Sequence, residues 1–180
     1  MRPRTFAREI AFQVLYREDL NPDDHGYMVP AGAVAVSRDA LLGQGRQTRE
    51  LTEFVRHLAK LRDQEDAAAA DEGEFYSQWL RTPSLVEFSR RLIQGVAANR
   101  SELDQKITAA AENWTVERMA ATDRNLLRLG AYEIHFTDTP AKVVIDEAVE
   151  LAKRFGGAQS AQFVNGILDK LMKQKESTKS

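Results

Sequence analysis

Residues 140–171 read PAKVVIDEAVELAKRFGGAQSAQFVNGILDKL. Two helical patterns meet here across a glycine pair. Thr139-Pro140 opens the first, and Gly156-Gly157 falls where helices commonly stop. Ser160 stands in a capping position for the second, in which Phe163, Val164, Ile167, Leu168 and Leu171 recur at helical spacing. The second helix opens with SAQFVNG, an aromatic, an amide and a glycine that a plain structural helix has no evident need for.

Helical periodicity continues upstream. Asp123 to Phe136 predicts a helix with Leu126, Leu127, Ala131 and Ile134 inward, and Thr115 can cap a short turn, TVERM. Thr82-Pro83-Ser84 starts a helix that runs to about Asn113 and carries Leu85, Phe88, Leu92, Val96, Leu103 and Ile107. At the N-terminus, Pro3 to Arg17 places Phe6, Ala7, Ile10, Ala11, Val14 and Leu15 on one stripe, with Arg4 and Arg8 together on another face. Pro22 ends that helix. Glycines and Pro30 make residues 22–46 a loop, and a helix returns from Thr48 to about Gln64. Ala67 to Ala70 reads as an exposed extension, with Phe75, Tyr76 and Trp79 pinning the chain back. Only AGAVAV at 31–36 hints at a strand. The expected fold is all-α: a helical subdomain over 1–112 with an insertion at about 20–80, a second over 113–175, and a flexible tail at 176–180.

The chain has 180 residues, 43% of them hydrophobic and 29% charged, the composition of an ordinary globular protein. No apolar run approaches the roughly 20 residues of a membrane span. The opening lacks the long apolar core of a signal peptide, so the cytosol is the expected compartment. Without a cysteine there is no disulfide, thiolate metal site or cysteine nucleophile. The net charge of −2 argues against a strongly basic nucleic-acid binder on average, but charge is uneven. Arginines crowd residues 1–17, acids crowd 63–74, and lysines end the chain.

Enzymatic chemistry has little support. His25, His57 and His135 fall in no metal-binding pattern, and no phosphate loop, dinucleotide fingerprint or nucleophile elbow is present. Metal and cofactor sites are therefore not expected. Glu147 and Glu150 invite an acid–base reading, but Glu150 precedes Arg154 by four residues, the favourable order for a surface ion pair. Binding is better supported. Arg2, Arg4 and Arg8 suit phosphates, with a solvated arginine face as the plainer alternative. In GAQSAQFVNG a helix start offers free N–H groups, Phe163 a stacking face, and Gln159, Ser160, Gln162 and Asn165 hydrogen bonds to base edges. Equally, Phe163 fits a core stripe, Asn165 could satisfy backbone groups, and Gly166 could allow close helix packing.

The segments AREIAFQVLY, ENWTVERMAATDRNLLRLGAYEIHF, PAKVVIDEAVELAKRFG and SAQFVNGILDKL, taken in order over residues 2–17 and 84–172, resemble the NusB family of transcription antitermination factors. The resemblance implies two packed helical subdomains and a non-enzymatic role. It implies binding of the boxA element of ribosomal RNA leader transcripts together with NusE, a ribosomal small-subunit protein, in an RNA polymerase complex that resists termination. By position it places RNA contacts at Arg2, Arg4 and Arg8 and at Gln159, Ser160, Gln162 and Phe163, and structural or partner contacts at Tyr16 and Glu133. A homodimer is left open. Two departures stand out: Thr5 and Phe6 interrupt the basic cluster, and GAQSAQF carries no charged residue. A NusB-like domain also begins some ribosomal RNA cytosine methyltransferases, but no methyltransferase domain or cysteine is seen here. A helical module that binds only protein is the remaining alternative.

Overall fold

The computed structural model describes residues 2–20, 81–112 and 114–178. The expectations for residues 21–80 lie outside the described residues: the insertion, the helix from Thr48, AGAVAV, the acidic run, the aromatics at 75–79, and His25 and His57. So does the end of the tail, at 179–180. Six α-helices are described: α1 Pro3–Leu20, α2 Pro83–Ala98, α3 Arg100–Ala110, α4 Ala121–Phe136, α5 Ala141–Phe155 and α6 Ser160–Thr178, with a 3₁₀ turn at Val116–Arg118. No strand occurs among the described residues, and the fold is all-α.

The chain forms two compact units. Among the described residues, the first holds 2–11 and 81–94, and the second holds 12–20, 95–112 and 114–178. The division falls inside α1 and α2. In the first unit, Phe6, Ala7, Ile10 and Ala11 of α1 are buried, as are Val86, Leu92 and Ile93 of α2. The buried hydroxyl of Ser89 donates to the Ala7 carbonyl at 2.8 Å, giving the two helices a polar register mark.

In the second unit, α4, α5 and α6 pack against one another, and α3 packs on α4 and α6. Val144, Ile145, Ala148, Leu151 and Ala152 of α5 are buried, as are Val164, Ile167, Leu168 and Leu171 of α6. Each set follows the spacing that lines one side of a helix. Gly130 of α4 is required by this packing: a Cβ there would sit 2.7 Å from Leu168 Cδ1. Gly95 is required as well, because a Cβ would enter the Tyr132 ring.

The long helix expected from 84 to about 113 is two helices. The chain turns at Asn99, whose φ of −111° and ψ of 13° leave the helical range and whose side-chain amide donates to the Gly95 carbonyl at 2.8 Å. At its far end α3 stops with Glu112 at a φ of 57°, a left-handed conformation usually given to glycine. Lys170 of α6 holds that end, donating to the Ala110 carbonyl at 3.3 Å and pairing with Glu112 at 2.6 Å.

One buried charge cluster ties α1 to α3 and α4. The Asp19 carboxylate accepts from Arg100 at 2.7 Å, Arg124 at 2.5 Å, Asn125 at 3.0 Å and Arg128 at 2.9 Å. Arg128 also grips Asp104 with two bonds, at 2.7 and 2.9 Å. Burial is the largest influence on Asp19 and works to raise its pKa. The bonds from Arg124, Arg128 and Asn125, with the charge of Arg128, outweigh it and hold the carboxyl below its ordinary value.

Candidate nucleic-acid interface

The residues expected to meet RNA fall into two places, one in each unit. In the first unit, Arg2 and Arg4 are exposed, whereas Arg8 is only 4% exposed. Both guanidinium groups of Arg4 and Arg8 lie over the Phe88 ring, at 5.5 and 5.1 Å from its centre. The aromatic face offers a cation a favourable seat. Arg8 is thus built into the fold through Phe88, and Arg2 and Arg4 carry the accessible charge. The sequence does not reveal this division, since Phe88 lies on another helix, 80 positions from Arg8.

In the second unit the junction between α5 and α6 is made by Gly156 to Phe163. Gly156 ends α5 in an extended conformation, with φ −96° and ψ 177°, and its N–H donates to the Ala152 carbonyl at 2.9 Å. It does not adopt the left-handed stop that a glycine pair suggests. The glycine is needed because a Cβ would collide with the Ser160 side chain and the Ala152 carbonyl.

Ser160 differs from its expected role. It is the first residue of α6 and is 6% exposed, and its hydroxyl accepts from the Gly157 N–H at 2.9 Å. Its own N–H donates back to the Gly157 carbonyl at 3.1 Å. Ser160 therefore closes the turn from inside and offers its hydroxyl to the backbone.

Gln159 and Gln162 are exposed, and Phe163 is half-buried, with its N–H bonded to the Gln159 carbonyl at 3.0 Å. Spacings of three and four place these side chains on one face. The first turn of α6 contains no acid that would offset the positive end of the helix dipole. Phe163 is neither wholly core nor wholly free. Its neighbours Val164, Ile167 and Leu168 take the buried positions and leave part of the ring accessible.

At the end of α5, Glu150 pairs with Lys153 at 2.6 Å, and the Arg154 guanidinium lies 5.3 Å from the centre of the Phe155 ring. Phe155 meets Phe12 at 5.4 Å, and Phe12 meets Tyr16 at 5.9 Å. This aromatic chain joins the part-exposed Tyr16 to the junction, a link that sequence spacing hides. Glu133 is 1% exposed and belongs to the interior of α4, where its carbonyl accepts from the Thr137 hydroxyl at 2.8 Å.

Other chemistry is scarce. Among the described residues no group of three or more His, Cys, Asp or Glu side chains could hold a metal ion. No described helix is long and apolar enough to cross a membrane. His135 is part-buried, and burial, with Lys106 and Lys175 adding to it, lowers its pKa below 6.5.

Comparisons with known proteins agree with this picture. The NusB family model matches residues 46–173. The match begins inside the segment read above as an insertion. A transcription antitermination protein NusB from Myxococcus xanthus is 49% identical over 92 residues, which cover 51% of this chain and 66% of that protein. The NusB of Solibacter usitatus is 44% identical over 110 residues, covering 61% of this chain and 74% of that protein. Several other matched relatives are covered over 61% of their length, so the chain spans less than two thirds of most of the first relatives it matches. Among solved structures, NusB of T. maritima superposes with a TM-score of 0.64 at 30% identity, covering 100% of this chain and 99% of that one. A NusB solved with NusE and double-stranded RNA has the same fold, with a TM-score of 0.63 at 22% identity, covering 97% of this chain and 98% of that one. The helices, the junction and the matched residues lead to one conclusion: the chain belongs to the NusB family.

Proposed function

We propose that this chain is a transcription antitermination factor that binds boxA-type RNA of ribosomal RNA leader transcripts together with NusE. In this reading it joins an RNA polymerase antitermination complex in the cytoplasm and promotes processive transcription without catalysing a reaction. The observation that carries the proposal is the start of α6. An exposed, acid-free helix end presents Gln159, Gln162 and part of the Phe163 ring on one face, held by a turn that Ser160 closes from within. Unpaired bases in RNA are recognised by stacking and by amide hydrogen bonds of this kind.

Phosphate attraction falls to the exposed Arg2 and Arg4, to Arg154, and to the amide end of α6. Arg8 and Ser160 act as supports for their exposed neighbours. Tyr16 and Glu133 are assigned to the NusE side, Tyr16 by contact and Glu133 by holding α4 from inside.

The test is a titration of boxA-containing and scrambled RNA at several salt concentrations. The boxA RNA should bind more tightly, with affinity falling as salt rises. Equal binding of the two RNAs at every salt concentration would refute the reading. The second reading, a helical module that binds only protein, draws on the absence of charged side chains at the α6 start. It predicts saturable NusE binding with no boxA preference.

A further inference from the structure

We infer that the bound RNA strand continues along α6 past Phe163, crossing a notch at Gly166 toward Lys170 and Lys173. The inference rests on the RNA-binding reading above and extends it by one further contact surface.

Asn165 and Gly166 are adjacent, exposed and inside a helix. Glycine is among the poorest helix formers, and asparagine is also weak. Among the described residues nothing in the packing calls for either. A Cβ at Gly166 would meet nothing within 4 Å, whereas Gly95, Gly130 and Gly156 each face a close neighbour. Its backbone is not left-handed, so conformational freedom does not demand glycine. The expectation that Gly166 serves close helix packing therefore fails. The Asn165 amide makes no hydrogen bond among the described residues. Local rules broken without a folding gain point to a use outside the fold.

The position of the notch says what the use is. Gly166 follows Gln162 and Phe163 by four and three residues and precedes Lys170 by four, so all share one face. The face continues to Lys173. From Phe163 to Lys170 the helix rises about 10 Å. A missing side chain between a part-exposed ring and two lysines is a shallow trough, rimmed by the Asn165 and Gln162 amides. A ribose fits such a trough, because its 2′-hydroxyl can both donate to and accept from an amide. The lysines lie in reach of the following phosphates. Lys170 now pairs with Glu112 and Lys173 with Asp169, each at 2.6 Å. Both are exposed pairs, each worth little, so a phosphate can take the place of either carboxylate while Lys170 keeps its bond to the Ala110 carbonyl at 3.3 Å.

The experiment compares the whole chain with Gly166→Ala and Gly166→Gln, each by thermal melt and by titration with boxA RNA, scrambled RNA and NusE. Filling an open helix position should raise the Tm of Gly166→Ala by about 2–4 °C. The affinity of Gly166→Gln for boxA RNA should fall by about tenfold, the worth of one well-made polar contact. Gly166→Ala should fall less, and NusE affinity in the absence of RNA should not change. A gain in stability joined to a loss of RNA binding separates this role from a structural one. If wild type prefers boxA and both variants keep that affinity, the inference is overturned while the RNA reading stands. A loss of NusE affinity in place of RNA affinity assigns the notch to protein and also overturns it. A wild-type chain with no boxA preference overturns the RNA reading and the inference together.

Discussion

Replacing Asp19 by asparagine keeps the side chain's shape and removes its charge. In the folded chain that carboxylate is 5% exposed and accepts bonds from Arg100, Arg124, Asn125 and Arg128. Removing one partner from a buried ion pair commonly costs about 3–5 kcal/mol. Two facts set the expectation at the low end. Arg128 keeps its two-bond grip on Asp104, and the half-exposed Arg100 contributes under about 1 kcal/mol. The predicted loss for Asp19→Asn is thus about 3 kcal/mol at pH 7, or a Tm lower by about 6–12 °C for a chain of this size. Urea denaturation of wild type and variant measures it directly.

The pH dependence gives an independent check. The folded carboxyl titrates below its unfolded value of 3.8, so its stabilisation is full above pH 3.8 and is lost as pH falls through the folded value. The gap between wild type and Asp19→Asn should therefore be constant near neutrality and close at low pH. A variant within 0.5 kcal/mol (about the noise of a surface substitution) or a gap that persists in acid would refute the argument that this cluster holds α1 to α3 and α4.

Other outcomes follow from single contacts. Arg4→Glu should weaken RNA binding and flatten its salt slope while leaving the circular dichroism spectrum unchanged, because Arg4 is exposed; Arg8→Glu should lower the Tm as well, because Arg8 is buried over Phe88. Phe163→Ala should lose RNA affinity by about 1–3 kcal/mol, the worth of one stacked base, with a smaller loss in Tm since the ring is half-buried. Gly95→Ala should destabilise by about 1–3 kcal/mol through overpacking against Tyr132, and Tyr132→Ala in the same chain should relieve the clash. His135 has a folded pKa below its unfolded 6.5, so stability should be full above pH 6.5 and fall as pH drops through the folded value; His135→Asn should flatten that part of the profile in equilibrium unfolding.

The helices were legible where periodicity is long and uninterrupted. Leu126, Leu127, Ala131 and Ile134 of α4 are buried as their spacing predicts, and so are Val164, Ile167, Leu168 and Leu171 of α6. The break at Asn99 was not, because no glycine or proline marks it and the turn is stabilised by a side-chain bond to Gly95. Nor was the left-handed Glu112, which is held by a lysine 58 residues away. At the junction, residue types singled out the segment from Gln159 to Phe163, while the packing of each residue needed coordinates. Ser160 and Gly156 serve each other's packing, which spacing alone cannot distinguish from capping and a left-handed stop. Arg8 reads as surface charge until Phe88 is placed beneath it. The Asp19 cluster was invisible for the same reason, its partners lying 81 to 109 residues further along the chain.

Cooperative recognition of boxA RNA by this chain and NusE, as proposed above, is measured by a ternary binding assay. Labelled boxA and scrambled RNAs are titrated with this chain alone, with its cognate NusE alone, and with both. The pair should bind boxA RNA more tightly than either protein does, scrambling the RNA should remove the gain, and rising salt should weaken it. Formation of the protein pair with no preference for boxA over scrambled RNA would contradict it.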